Sequence, residues 1–252
     1  MVKAILIGLQ ATRLFLEVLF RRFQMASSIN EKSLGMAWIG SIRSVLDNGD
    51  LHFDEDVSLL ELRLGLAVTI ANPSVVDPVI ERWGDASVVT RMQKKFSRNS
   101  RMHDRPFTYG ELIYSKNGVN QYEWMLERIR KKPETKSATI SLISEGDCSQ
   151  NLPCLVGLDA KRRGNAIDLH FFFRSQNIFG RQYANLIALA ELQRIMALDL
   201  SCEIGSISGY ISSPHIYDYD IENAKKLVAG ISFENVDQFY NQGPQSIRNG
   251  YK

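Results

Sequence analysis

One cysteine in this chain stands where a thiol could act. Cys154 follows Leu152-Pro153 and opens an apolar run, while the cysteines at 148, 154 and 202 lack paired CxxC spacing and give an odd count. That usage points to a reduced compartment, hence the cytoplasm, and to a single reactive thiol rather than a disulfide framework or zinc site. A cysteine is intrinsically nucleophilic and can leave again, so the chemistry open to Cys154 is transient covalent addition. The plain alternative is an inert buried thiol in an apolar strand. Downstream stand groups suited to recognition: Arg174-Ser175, Asn185 and His215-Ile216-Tyr217. The histidines at 52, 103, 170 and 215 are scattered, and no metal is expected.

The surrounding pattern says what must hold these groups. Apolar runs at 155–158 and 167–173, separated by the polar residues 159–165, predict a strand–turn–strand unit with Arg174 and Ser175 at its far end. From 182 to 200 the apolar positions wrap more than one face of a helix, which predicts a largely buried one. Asn185 would then face an apolar interior, where an unpaired amide costs about 1–3 kcal/mol, and a bound ligand is one candidate partner. A second alternating segment, 203–213, delivers His215 and Tyr217 at its end.

Elsewhere, residues 27–47 read as a helix with Ser28, Asn30 or Ser33 as N-cap, stopping at Asn48-Gly49. Residues 57–72 alternate as one strand, and Asp77-Pro78 opens a short helix through Trp83. The polar stretch 93–106 reads as a loop, 121–130 as an amphipathic helix and 138–143 as a strand.

With 252 residues and no composition break, a single domain over 26–252 is expected. Residues 1–25 form an extra segment, either an amphipathic helix or an artefact of start-site choice with Met25 the true start. Gln10, Arg13 and Glu17 interrupt it too early for a membrane span. Lys plus Arg number 30 against 28 acidic residues, so no strong field selects nucleic acid or a membrane as partner. Lys161-Arg162-Arg163 reads as a solvated hairpin turn.

Taken in order, Leu-Pro-Cys-Leu at 152–155, Phe-Arg-Ser-Gln-Asn at 173–177, Asn185 and His-Ile-Tyr at 215–217 resemble the core of the folate-dependent thymidylate synthase family, which includes pyrimidine nucleotide hydroxymethylases. The likeness is good from about 109 to 217, weaker from about 37 to 83, and absent at both ends. Order and spacing together carry it.

The resemblance implies an α/β (α+β) fold, a large mixed sheet with helices packed on it, and a homodimer through sheet faces. It implies a pyrimidine nucleoside monophosphate as substrate and 5,10-methylenetetrahydrofolate as co-substrate. Cys154 would be the nucleophile, Tyr109 part of the proton network, Glu81 the catalytic glutamate, and Asn185 the reader of the base, leaning to uracil. Arg174 and Ser175 would hold phosphate, His215 and Tyr217 the sugar hydroxyl, and Trp83 and Asn177 the folate.

Three departures bear on activity. Lys136-Ser137 stand where the family has two arginines that reach the partner's phosphate; a lysine gives a point charge where arginine gives a bidentate fork. Asn177 replaces an acid that contacts folate. The C-terminal residues 245–252 are polar, where the methylating enzymes close the site with a hydrophobic segment. The expected activity is methylation of deoxyuridylate; a 5-hydroxymethylase and a catalytically inactive nucleotide-binding homologue are the alternatives.

Overall fold

The strand patterns at 155–173 and 203–217 build the part of the molecule that matters for chemistry. The computed structural model describes residues 26–54, 56–100, 107–144 and 152–231. Strands β6 (Leu155–Arg163) and β7 (Ala166–Phe173) pair as a hairpin, and β7 runs parallel to β9 (Glu203–Ile211). Around them a mixed six-stranded sheet forms in the order β1-β4-β9-β7-β6-β5, with β1 at Ser27–Glu31, β4 at Leu66–Ile70 and β5 at Thr139–Ser141. A smaller sheet takes the order β2-β3-β10-β8, from Asp50–Asp54, Val57–Glu61, Pro214–Tyr217 and Gln176–Asn177. The expected α/β (α+β) class, a large mixed sheet with helices on it, is what the chain adopts.

Seven helices accompany the sheets among the described residues: α1 (Leu34–Asn48), α2 (Pro78–Trp83), α3 (Ala86–Phe96), α4 (Tyr109–Tyr114), α5 (Gln121–Lys131), α6 (Gln182–Asp199) and α7 (Asp218–Gly230). As the sequence predicts, α6 is buried on most of its circumference. It sits between α1 and α3 on one side and strands β7 and β9 on the other. Gln193 ties it down, its Nε2 donating to the carbonyls of Ile167, Gly205 and Ser206 at 2.8, 3.2 and 3.0 Å, where the β7–β9 register shifts.

Several boundaries differ from the sequence reading. The stretch 57–72 is two strands in different sheets, broken before Leu66 by Gly65, whose φ of +72° suits glycine. The hairpin turn is shorter than 159–165: strand pairing continues to Arg163, so Lys161, Arg162 and Arg163 lie in β6, with Lys161 paired to Asp159. Residues 27–31 form a strand and only Ser33 caps α1, accepting from Met36 N. The polar stretch from 93 begins as the last turn of α3. The expectations for residues 1–25, for 245–252 and for Cys148 fall outside the described residues.

Candidate active site

Cys154 sits at the entrance to β6 and its peptide is held from two directions. Arg174 N donates to Cys154 O at 2.9 Å, and the Arg174 guanidinium donates to Pro153 O at 3.2 Å and Leu152 O at 2.8 Å. Leu155 N donates to Tyr109 Oη at 3.3 Å. Immediately beyond, the β6–β7 register slips between Leu155 and Gly157. Such a bulge re-aims a side chain locally, and bulges are common beside reactive groups.

Tyr109 opens α4, whose N-terminus is fixed by a capping box between Thr108 and Glu111. Its neighbour must be glycine: a Cβ on Gly110 would lie 1.9 Å from Ser97 O, so only a bare backbone lets α4 approach the end of α3. The Tyr-Gly pair therefore combines a cavity-lining phenol with a close contact that seats it.

On the opposite wall, β10 carries His215 and Tyr217 two residues apart, which puts both side chains on one face. His215 Nδ1 lies 3.1 Å from Ser213 O. A carbonyl only accepts, so Nδ1 carries the proton and Nε2 is left as an acceptor. Burial pushes the His215 imidazolium pKa below its ordinary value and the Tyr217 phenol above its own. The Tyr217 ring stacks on Tyr219 at 5.3 Å.

The third wall is the start of α6 with the turn before it. Trp38 of α1 donates Nε1 to Ile178 O at 3.0 Å and packs its ring 4.6 Å from that of Tyr183. Tyr183 Oη in turn accepts from Asp85 N at 3.3 Å, and Asp85 caps α3. This relay from α1 through α6 to α3 fixes how α3 faces the others.

Between these walls lies a cavity of about 630 Å³, within the usual range for a small-molecule site. It is lined by Cys154, Tyr109, Ser175, Asn177, Asn185, His215 and Tyr217, so seven residues singled out from sequence meet in one place. Asn185 is 5% exposed and its Oδ1 has no hydrogen-bond partner among the described residues. Asn177 Oδ1 accepts from Gly180 N at 2.8 Å.

The other sequence-derived candidates stand apart. Arg174 is exposed and spends its guanidinium on backbone carbonyls next to Cys154. Glu81 is exposed on α2, Trp83 is half-buried at its end, and Lys136 is exposed before β5; none of these four lines the cavity.

The structure also brings in Ser87, Arg91 and Lys95 of α3 and Tyr219, which the sequence reading passed over, and it adds Gln176 of the 173–177 motif and Arg181, which the sequence offers beside Arg174 as a phosphate partner. The signal was present for α3. Asp85 as N-cap, followed by Val88, Val89, Met92 and Phe96, is helical spacing.

A family model described as thymidylate synthase matches residues 79–238. The chain belongs to the thymidylate synthase family. Proteins named "Putative thymidylate synthase" from Methanosarcina mazei and Methanosarcina acetivorans are each 28% identical to it, over 84% of this chain and 99% of the relative. One of the same name from Methanothermobacter marburgensis is 25% identical over 81% of this chain and 99% of the relative. The match to the thymidylate synthase model covers α2 to α7 and so every wall of the cavity. No helix among the described residues is long and apolar enough to cross a membrane.

Proposed function

We propose that this chain transfers a one-carbon unit to carbon 5 of a pyrimidine nucleotide, most simply converting deoxyuridylate to thymidylate, with 5,10-methylenetetrahydrofolate as co-substrate. The observation that carries the reading is the meeting of Cys154, Tyr109, Asn185, His215 and Tyr217 around one cavity.

Carbon 5 of a pyrimidine is a poor nucleophile. Addition of the Cys154 thiolate at carbon 6 sends the double-bond electrons towards O4 and makes carbon 5 enolate-like. Asn185 supplies an acceptor for N3–H and a donor for O4, so its unpaired Oδ1 finds a partner when uracil binds. The His215 Nε2 acceptor and the Tyr217 hydroxyl suit a sugar hydroxyl, and Ser175 a phosphate oxygen. Tyr109, anchored at Leu155 N, stands beside the thiol's own strand, where a phenol can pass on the proton lost from carbon 5. The bond to sulfur breaks last and regenerates the thiol.

The carrier supplies the one-carbon unit and, for a methyl product, the hydride. The residues present fit a pterin: Gln176 is 4% exposed, lines the cavity, and neither amide atom has a hydrogen-bond partner among the described residues. With Asn177, it would hold a ring edge that offers both donors and acceptors.

The reading includes a homodimer through the face of the large sheet. Phe172 is 40% exposed and stacks against Tyr210 of the neighbouring strand, and their alternation with buried residues turns both away from the core. In such a dimer Lys136 would reach towards the partner.

A 5-hydroxymethylase is the second reading, favoured by Asn177: its carbonyl closes a turn onto Gly180 N, and it brings no carboxylate to a pterin. Water capturing the exocyclic methylene on carbon 5 would give that product.

Tritium release from [5-³H]dUMP in the presence of 5,10-methylenetetrahydrofolate, with dCMP, UMP and CMP in parallel and Cys154→Ala as control, tests the proposal. Cys154-dependent release with a methyl product supports it, and a hydroxymethyl product moves it to the second reading. No release from any of the four by folded protein sinks it.

A further inference from the structure

We propose that Arg91, Lys95 and Arg181 form an oxyanion-binding wall of the cavity, which takes a phosphate or carboxylate group carried by one of the two substrates. The inference rests on the proposed one-carbon transfer for the identity of those substrates, and on the cavity itself for the site.

Three cationic side chains line this cavity, and no Asp or Glu is among its described lining residues. Arg91 and Lys95 are four apart on α3, one turn above another on the same face, and Ser87 lies a further turn towards the N-terminus. From Ser87 to Lys95 the face runs about 12 Å, at about 1.5 Å per residue.

Its two ends are marked by neighbours. At one end Lys95 Nζ sits 4.2 Å from the centroid of the Tyr109 ring, whose hydroxyl touches Leu155 N next to the thiol. At the other end Arg181 lies close enough to Asp85, the cap of α3, to help hold its carboxyl below the usual range, although hydrogen bonds from Ser87 do most of that. Arg181 also lies beside Tyr219.

Arg181 is in addition the N-cap of the 18-residue α6 and provides no side-chain cap for it. The first N–H groups of a helix have no partner within it, so the positive end of the α6 dipole adds to the same wall. Like charges gathered on one cavity wall favour an anion between them, and the guanidinium of Arg174 is already engaged with the carbonyls of Leu152 and Pro153.

The wall is tested by equilibrium binding to the full chain, without turnover, using two matched pairs: dUMP against deoxyuridine, and a tetrahydropterin with a glutamate tail against one without. Arg91→Gln, Lys95→Gln and Arg181→Gln are compared with Lys94→Gln, which removes an exposed charge from the same helix outside the cavity.

The expected result is that each cavity variant shrinks the affinity gap within one pair about tenfold or more, while Lys94→Gln leaves it alone. The pair affected identifies the source of the oxyanion. Gaps unchanged in all three variants, or shrunk as much by Lys94→Gln, overturn the proposal.

Should a glutamine variant fail to fold, Arg91→Lys and Lys95→Arg with a salt titration of the wild type replace it. Affinity for the anionic member that does not fall with salt also overturns the wall. Cys154-dependent tritium release with unaffected gaps sinks the wall alone, whereas a charge-dependent gap without release sinks only the transfer reaction.

Discussion

Replacing Asn185 by Asp should turn the site from uracil towards cytosine. The amide offers one acceptor and one donor, whereas an aspartate offers acceptors only. Uracil presents N3–H and O4, so the carboxylate keeps a partner for N3–H but sets its other oxygen against O4. Asn185 is 5% exposed, so water cannot repair that mismatch. A buried acceptor left unpaired costs about 1–3 kcal/mol, and more beside a charge. Cytosine offers an amino group instead and takes up a proton at N3 as the thiolate adds at carbon 6, so in that adduct both carboxylate oxygens accept, and a charge-assisted bond contributes about 1.5–3 kcal/mol. The swing is about 4 kcal/mol, or roughly a thousandfold in the ratio of kcat/KM for dUMP to that for dCMP. Tritium release from the two 5-³H nucleotides, measured side by side on wild type and Asn185→Asp, reads that ratio directly. A ratio within threefold of wild type, or an equal loss on both substrates, would refute the placing of Asn185 against the base edge.

Cys154→Ala should reduce tritium release to background while leaving the thermal midpoint within a few degrees, since Cys154 is only half-buried; retained release would end the case for covalent addition. Asp77 is 2% exposed, and its carboxylate accepts from Val79 N and Ile80 N at the start of α2 and from Gly35 N in α1. Asp77→Ala should cost about 3 kcal/mol in urea unfolding, with Asp77→Asn in between, and a loss under about 1 kcal/mol would contradict that bridge. Burial holds the folded-state pKa of His215 below 6.5, so the unfolded chain takes up its proton first as pH falls. Stability from this group is complete above about pH 6.5 and is lost below it, and His215→Gln should flatten that acid-side slope; identical slopes would show that His215 plays no part. Phe172→Glu should give a monomer in sedimentation if the large sheet's outer face is the dimer contact, and an unchanged sedimentation coefficient would remove that face from consideration.

The parts of the site legible in sequence were those on which one residue type does one job on a regular element. Asn185, His215 and Tyr217 stand on a helix or a strand and Cys154 just before one, and the structure gathers all four around one cavity. The buried α6 and the β6–β7 hairpin were readable because apolar runs that long have few other solutions. The split of 57–72 was not, because alternation continues through Leu62, Leu64 and Leu66 and only the backbone of Gly65 reveals the break. Arg91 and Lys95 were hidden for a different reason. Asp85 with Val88, Val89, Met92 and Phe96 spells the helix, but Arg91 and Lys95 lie on its polar side, and nothing in the spacing tells a polar side that lines a cavity from one that faces water.

Arg174 has a consequence for the thermodynamics of binding. One side chain and its own backbone N–H hold three successive carbonyls, those of Leu152, Pro153 and Cys154. The entropy of ordering the backbone around Cys154 is thereby spent during folding and need not be spent again when a ligand arrives. Calorimetry of nucleotide binding should therefore show a small unfavourable entropy, and Arg174→Met should enlarge it even for ligands that carry no phosphate.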